Sequence, residues 1–152
     1  MLGEHIHDPQ GLESAAGSSV GLGLLPLSTT LEPGKTLERI TGYLLETGTP
    51  VSGYEIHCGA STLDTGGEPF IKLADGRYDG AVSPDGQVAG SYLHGLFDEP
   101  AACAALLQWA GLEDAEGIDR ESLREREIDR VADCLEQHMN LQALFPREFA
   151  AA

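Results

Sequence analysis

Gly90-Ser91-Tyr92-Leu93-His94-Gly95-Leu96-Phe97-Asp98 is the stretch whose reading decides the fold. Val88 to Leu93 is an apolar, strand-prone run that ends in a histidine, and Gly95 turns the chain at once. Asp98, Glu99 and Pro100 then form a helix start: an N-cap acid, a second acid near the positive end of the dipole, and proline in the first turn. A histidine at the C-terminal tip of a strand, beside a glycine turn, occupies the place where α/β proteins put their chemistry. The plainer alternative is a partly buried strand-end histidine with a hydrogen-bond partner.

Working outward, Asp79-Gly80-Ala81-Val82 and Gly53-Tyr54-Glu55-Ile56-His57 precede this stretch. With Tyr92-Leu93-His94-Gly95-Leu96-Phe97 they form three separate words, in an order and spacing that resembles the C-terminal part of cobyric acid synthase. That family carries a class I (triad-type) glutamine amidotransferase domain. The resemblance covers about Met1 to Leu112 and implies an α/β fold, the C-terminal part of a flavodoxin-like sheet, with mixed strands followed by two C-terminal helices. It divides the chain into a family-like region over 1–112 and an acidic helical extension over 113–152, all within one partial domain.

The same resemblance implies a reaction. A cysteine thiolate attacks the side-chain amide of glutamine, and a histidine matching His94 moves the protons. Tyr54, Glu55 and His57 match a family motif and are expected to line or brace the glutamine site; a buried polar strand beside the site explains them equally well. Many class I enzymes orient the histidine with a glutamate two residues later, where this chain has Leu96. The family's nucleophile elbow runs into a helix ending in Gln-Met-Leu-Gly. This sequence begins at Met1-Leu2-Gly3, read as the last turn of such a helix, and its first cysteine is Cys58. The expectation is a nucleophile outside this chain, an isolated chain without activity, and ATP and Mg belonging to an upstream synthetase domain that binds the corrinoid. That domain would amidate adenosylcobyrinic acid a,c-diamide with the ammonia. A related cobyrinate a,c-diamide synthase is the neighbouring alternative, and a non-catalytic remnant or binding module is the alternative of another class.

The bulk numbers bound these readings. With 152 residues, 41% hydrophobic and 22% charged, the chain has the size of one soluble domain. No apolar run approaches the ~20 residues that span a bilayer, and no signal segment opens the chain. A cytoplasmic location is expected, with no membrane partner. Twenty-five acids against nine bases give a net charge of −16, so nucleic acid is not expected as a partner, because phosphate binding needs a basic face. Three cysteines, Cys58, Cys103 and Cys134, without a CxxC pair read as free thiols. His5-Ile6-His7-Asp8 offers an H-x-H pair but no further ligands, so no metal site is expected, and Glu4 to Ser19 reads as a surface loop.

Periodicity supplies the remaining elements. A short strand is expected within Val20–Leu25, limited by Pro26. Thr36 to Leu45 reads as a strand with Leu37 and Tyr43 on one face and Glu38 and Ile40 on the other. Gly48-Thr49-Pro50 turns the chain into the strand Val51 to His57, and adjacent His57 and Cys58 point to opposite faces, which disfavours a dyad between them. Ser61 to Glu68 reads as loop. Phe70–Leu73 and Ala81–Val82 are short strands with Asp75-Gly76 and Asp85-Gly86 as turns, so part of the sheet is antiparallel. One helix runs from about Glu99 to Ala110, with Ala102, Leu106, Trp109 and Ala110 buried and Cys103 filling core. A second runs from Asp119 or Ser122 to about Met139, with Ile128, Val131, Ala132, Leu135 and Met139 as its stripe; Phe145 and Phe149 pack the tail. If the upstream strand and helix are absent, part of a parallel sheet is left uncovered and self-association follows.

Overall fold

The longest apolar alternations in the chain build its central sheet. In the computed structural model, which describes residues 2–34 and 36–145, strands β4 (Thr36–Leu44) and β5 (Pro50–His57) pair antiparallel over eight residue pairs, from Thr36 opposite His57 to Tyr43 opposite Pro50. The turn between them is closed by the Leu44 amide donating to the Thr49 carbonyl at 2.9 Å and by Gly48, whose φ of 70° suits a residue without a side chain. Strand β7 (Ile71–Leu73) pairs with β4, and β8 (Tyr78–Asp79) pairs with β7 through the Asp75-Gly76 turn. Strand β11 (Leu93–His94) closes the other edge against β5, giving the order β11-β5-β4-β7-β8.

Every pairing in this sheet is antiparallel. The expectation of an uncovered parallel sheet is therefore corrected: antiparallel sheets ordinarily keep one face on the core and one in water. Ile40, Leu44, Val51, Ile71, Leu73 and Leu93 form the covered face, and Ile71 is 0% exposed. Helix α1 (Pro100–Trp109) lies on that face through Ala102, Ala105 and Leu106. Its small side chains allow close approach, and proline takes the first helical position, where no amide is needed. The N-cap is Glu99, not Asp98, and its side chain makes no capping bond; the Glu99 carboxylate instead accepts from the Ser52 hydroxyl at 2.9 Å. Cys103 is buried in α1, whereas Trp109 and Ala110 are exposed, so the buried face is narrower than periodicity suggested.

A second sheet has the order β2-β1-β3-β6, with β1 (His5–His7), β2 (Ser18–Val20), β3 (Leu27–Thr30) and β6 (Ala60–Leu63). Four readings are corrected here. His5-Ile6-His7 is a strand, parallel to β3, rather than loop. Residues 21–26 carry no strand; the strand follows Pro26, as β3. Ser61 begins no loop but lies in β6, paired with β3. Leu2 and Gly3 do not end a helix: the carbonyl of Leu2 accepts from the amides of Leu24 and Leu25 in an extended arrangement, and Met1 lies outside the described residues. The run Val88–Leu93 is also broken, into β10 (Ala89–Gly90), paired with β9 (Ala81–Val82), and then β11 after a bend at Ser91 and Tyr92.

Residues 119–152 form a separate compact unit, the first unit being 1–118. Helix α2 (Arg120–His138) starts at Asp119, whose carboxylate accepts from the Ser122 amide at 3.0 Å, so Ser122 is not itself the cap. No residue of α2 is buried, the Ile128–Met139 stripe included. A short α3 (Leu141–Leu144), capped by Asn140, was not expected from the pattern. Phe145 is exposed, and Phe149 lies outside the described residues. No helix among the described residues is long and apolar enough to cross a membrane.

Candidate active site

Side chains of a strand alternate between faces, and directly opposed residues share one. His94 stands opposite Tyr54, and Tyr54 stands opposite Arg39. These three residues form one row across β11, β5 and β4 on the uncovered face of the sheet, where Tyr54 is 49% exposed and His94 and Arg39 are exposed. Two inter-strand steps separate Arg39 from His94, about 10 Å between backbones.

Gly53 makes this placement possible. A Cβ at Gly53 would collide with the His94 carbonyl oxygen and press on the Leu93 side chain. The close approach of β11 to β5 thus depends on a residue without a side chain.

The strand positions on this open face carry no Asp or Glu among the described residues: they include Leu37, Arg39, Tyr43, Tyr54, Lys72 and Tyr78 besides His94. The Glu99 carboxylate reaches the same face from the start of α1, where it accepts from Ser52. Arg39 was not among the residues expected at the site from the sequence. The signal was present in the Gly48-Thr49-Pro50 turn, which fixes the β4–β5 register and so sets Arg39 beside Tyr54.

Glu55 and His57 do not join His94. They alternate with Tyr54 and point to the opposite face. Glu55, 6% exposed, accepts from both terminal nitrogens of Arg77 at 3.0 and 2.8 Å and from His57 Nε2 at 2.8 Å. Arg77 also donates from Nε to Asp75 at 2.7 Å. The Arg77 hydrogen bonds, opposed by burial and aided by His57, hold the Glu55 carboxyl below its ordinary value. The same pair raises Arg77 further above its already high value, so it stays charged. This network lines a cleft of about 680 Å³ with Ser61, Asp79 and Tyr92, on the far side of the sheet from His94.

A depressed carboxyl contributes stability that is complete above its unfolded value, near 4.5, and is lost as pH falls through its lower folded value. Arg77 is half exposed, which limits the gain to about 1–2 kcal/mol. Glu55→Gln is expected to lower stability by that amount at pH 7 and to flatten the loss below pH 4.5. Urea midpoints between pH 3 and 7 for both proteins check this, and parallel curves would contradict it.

The cysteines do not serve His94 in the first unit. Cys58 follows His57 and lines a groove with His57 and Tyr92, and Cys103 is buried in α1. Leu96 packs against the core, and no side chain among the described residues hydrogen-bonds the His94 ring. The rings of His5 and His7 stack 5.9 Å apart, and no cluster of three metal-binding side chains occurs among the described residues.

The first unit thus carries an antiparallel sheet with one helix-covered face, and His94, Tyr54 and Arg39 stand in one row on the other. The model of the CobB/CobQ-like glutamine amidotransferase domain matches residues 1–102, and the chain belongs to that family. Its mixed α/β build is that of a flavodoxin-like amidotransferase domain. Glutamine is accordingly the substrate that the domain implies.

Proposed function

We propose that this chain supplies the acid–base half of a glutamine-hydrolysing site that serves cobyric acid synthase. His94 takes the proton of a cysteine thiol carried by polypeptide outside the described residues. The thiolate adds to the side-chain amide carbon of glutamine, the protonated imidazole returns the proton to the leaving nitrogen, and ammonia departs from a glutamyl thioester. Water then cleaves the thioester to glutamate, with His94 again as base. Arg39 holds the α-carboxylate of glutamine, and Tyr54 forms the floor between the two.

The observation that carries this reading is the row His94–Tyr54–Arg39 on an open sheet face in a member of an amidotransferase family. Glu55 and His57, expected to line or brace the glutamine site, take the bracing role in this reading, behind β5. The ammonia passes to a cytoplasmic synthetase partner that binds ATP with Mg and amidates carboxylates of a cobyrinate a,c-diamide. That substrate is preferred to the a,c-diamide synthase reaction because the sequence words match the former branch.

The test uses the chain alone. Purified protein incubated with glutamine is expected to release no ammonia beyond a His94→Ala control. Release clearly above that control would show a nucleophile within the chain and overturn the division of labour.

A further inference from the structure

Strand β11 has two residues, too few ladder bonds to hold an imidazole in place unaided. The bend before it is gripped from both sides. The carboxylate of Asp79 accepts from the Ser91 hydroxyl at 2.5 Å and from the Tyr92 amide at 3.2 Å. The Ser91 hydroxyl also accepts from the Leu93 amide at 2.9 Å. Two residues before His94, the phenol of Tyr92 reaches the second sheet. Its oxygen lies 3.1 Å from Thr29 Oγ1 and 2.9 Å from Ser61 Oγ, and those two hydroxyls are 2.7 Å apart. Three hydroxyls thus close a ring in which each can donate once and accept once. Thr29 is 2% exposed, so water does not readily substitute there. The face of Tyr92 lies 4.5 Å from the His57 ring, which Glu55 fixes.

We propose that Tyr92 is a positioning residue: its hydroxyl, locked to Thr29 and Ser61, fixes the bend that delivers His94 to the open face. The functional consequence rests on His94 being the base, but the placement itself does not. Nothing in the ring touches the face where His94 and Arg39 stand, so Tyr92 acts only through the backbone it anchors. Losing the hydroxyl leaves Thr29 and Ser61 paired with each other, so the fold survives while the bend loosens.

The experiment is residue-resolved amide hydrogen exchange on the full chain, comparing wild type with Tyr92→Phe and with Thr29→Val. Tyr92→Phe keeps the ring and its contact with His57. Exchange at Leu93 and His94 is expected to rise roughly tenfold, the scale of one lost hydrogen bond. Exchange at Ile40, Val51 and Ile71 stays unchanged. Thr29→Val is expected to reproduce the local rise in part, and combining the two substitutions adds little. A uniform rise at all these amides, or none at 93–94, overturns the proposal, since either makes Tyr92 a general packing residue or an idle one. If Tyr92→Phe fails to fold, the Thr29→Val pattern decides alone. Because the readout is exchange rather than ammonia release, a failure here is distinct from a failure of the glutamine reading.

Discussion

Replacing His94 by asparagine in the enzyme that joins this chain to its nucleophile is expected to depress glutamine-dependent amidation by ~10²–10⁴-fold, the usual contribution of general acid–base catalysis. Asparagine keeps hydrogen-bonding capacity at an exposed strand end, and the close contact under β11 is made by the backbone of residue 94 at Gly53, so the fold is retained. Ammonia supplied directly enters after the missing step, and ammonia-dependent amidation should survive nearly unchanged. His57→Asn is the matched comparison. His57 stands on the opposite face, bonded to Glu55, and its replacement should act mildly and equally on both activities. Equal loss of both activities in His94→Asn would make His94 a structural strand-end residue.

The second large effect is expected at Arg39. Arg39→Leu preserves an aliphatic stem on the exposed strand while removing the only cation in the row with His94. A charge-assisted hydrogen bond to a carboxylate contributes about 1.5–3 kcal/mol. Most of that should appear as a KM for glutamine raised ~10–100-fold, with kcat changed far less, because the α-carboxylate is bound alike in ground and transition states. Steady-state kinetics with glutamine measures it, and a fall in kcat at constant KM would assign Arg39 to the chemistry instead of to binding. Lysine at this position should recover part of the loss, since it keeps the charge but not the two-pronged geometry.

Both predictions depend on facing, and facing was partly legible in the sequence. The period of two sets Tyr54 apart from Glu55 and His57, and in β4 it parts Leu37 and Tyr43 from Ile40, but it did not say which face is buried: Leu37 and Tyr43 are exposed and Ile40 is buried. The joining of Arg39 to His94 needed two registers, and only the hairpin turn between β4 and β5 was local enough to read. The second sheet was harder. All four residues of β6 are exposed, and β1 is a polar His-Ile-His triplet, so neither displays the apolar signature of a strand; pairing with β3 makes them strands. The break before β11 was invisible for a related reason. Apolar pattern predicts a continuous run from Val88, but Asp79 captures Ser91 and Tyr92 and turns the chain. Helix α1 was legible because proline at its start and glycine at its end are local signals, whereas its cap passed to Glu99 through a contact with Ser52 on another strand.

The claim on which the account rests is that glutamine meets the open face of the five-stranded sheet and not the Glu55–His57 cleft behind it. Titrating the chain with glutamine at tens of millimolar, while following assigned NMR resonances, separates the two faces directly. Shifts are expected at Arg39, Tyr54 and His94, abolished by Arg39→Leu, with Ser61, Arg77 and the His57 ring unmoved. Shifts centred on His57, Ser61 and Arg77, with the open face silent, would contradict it.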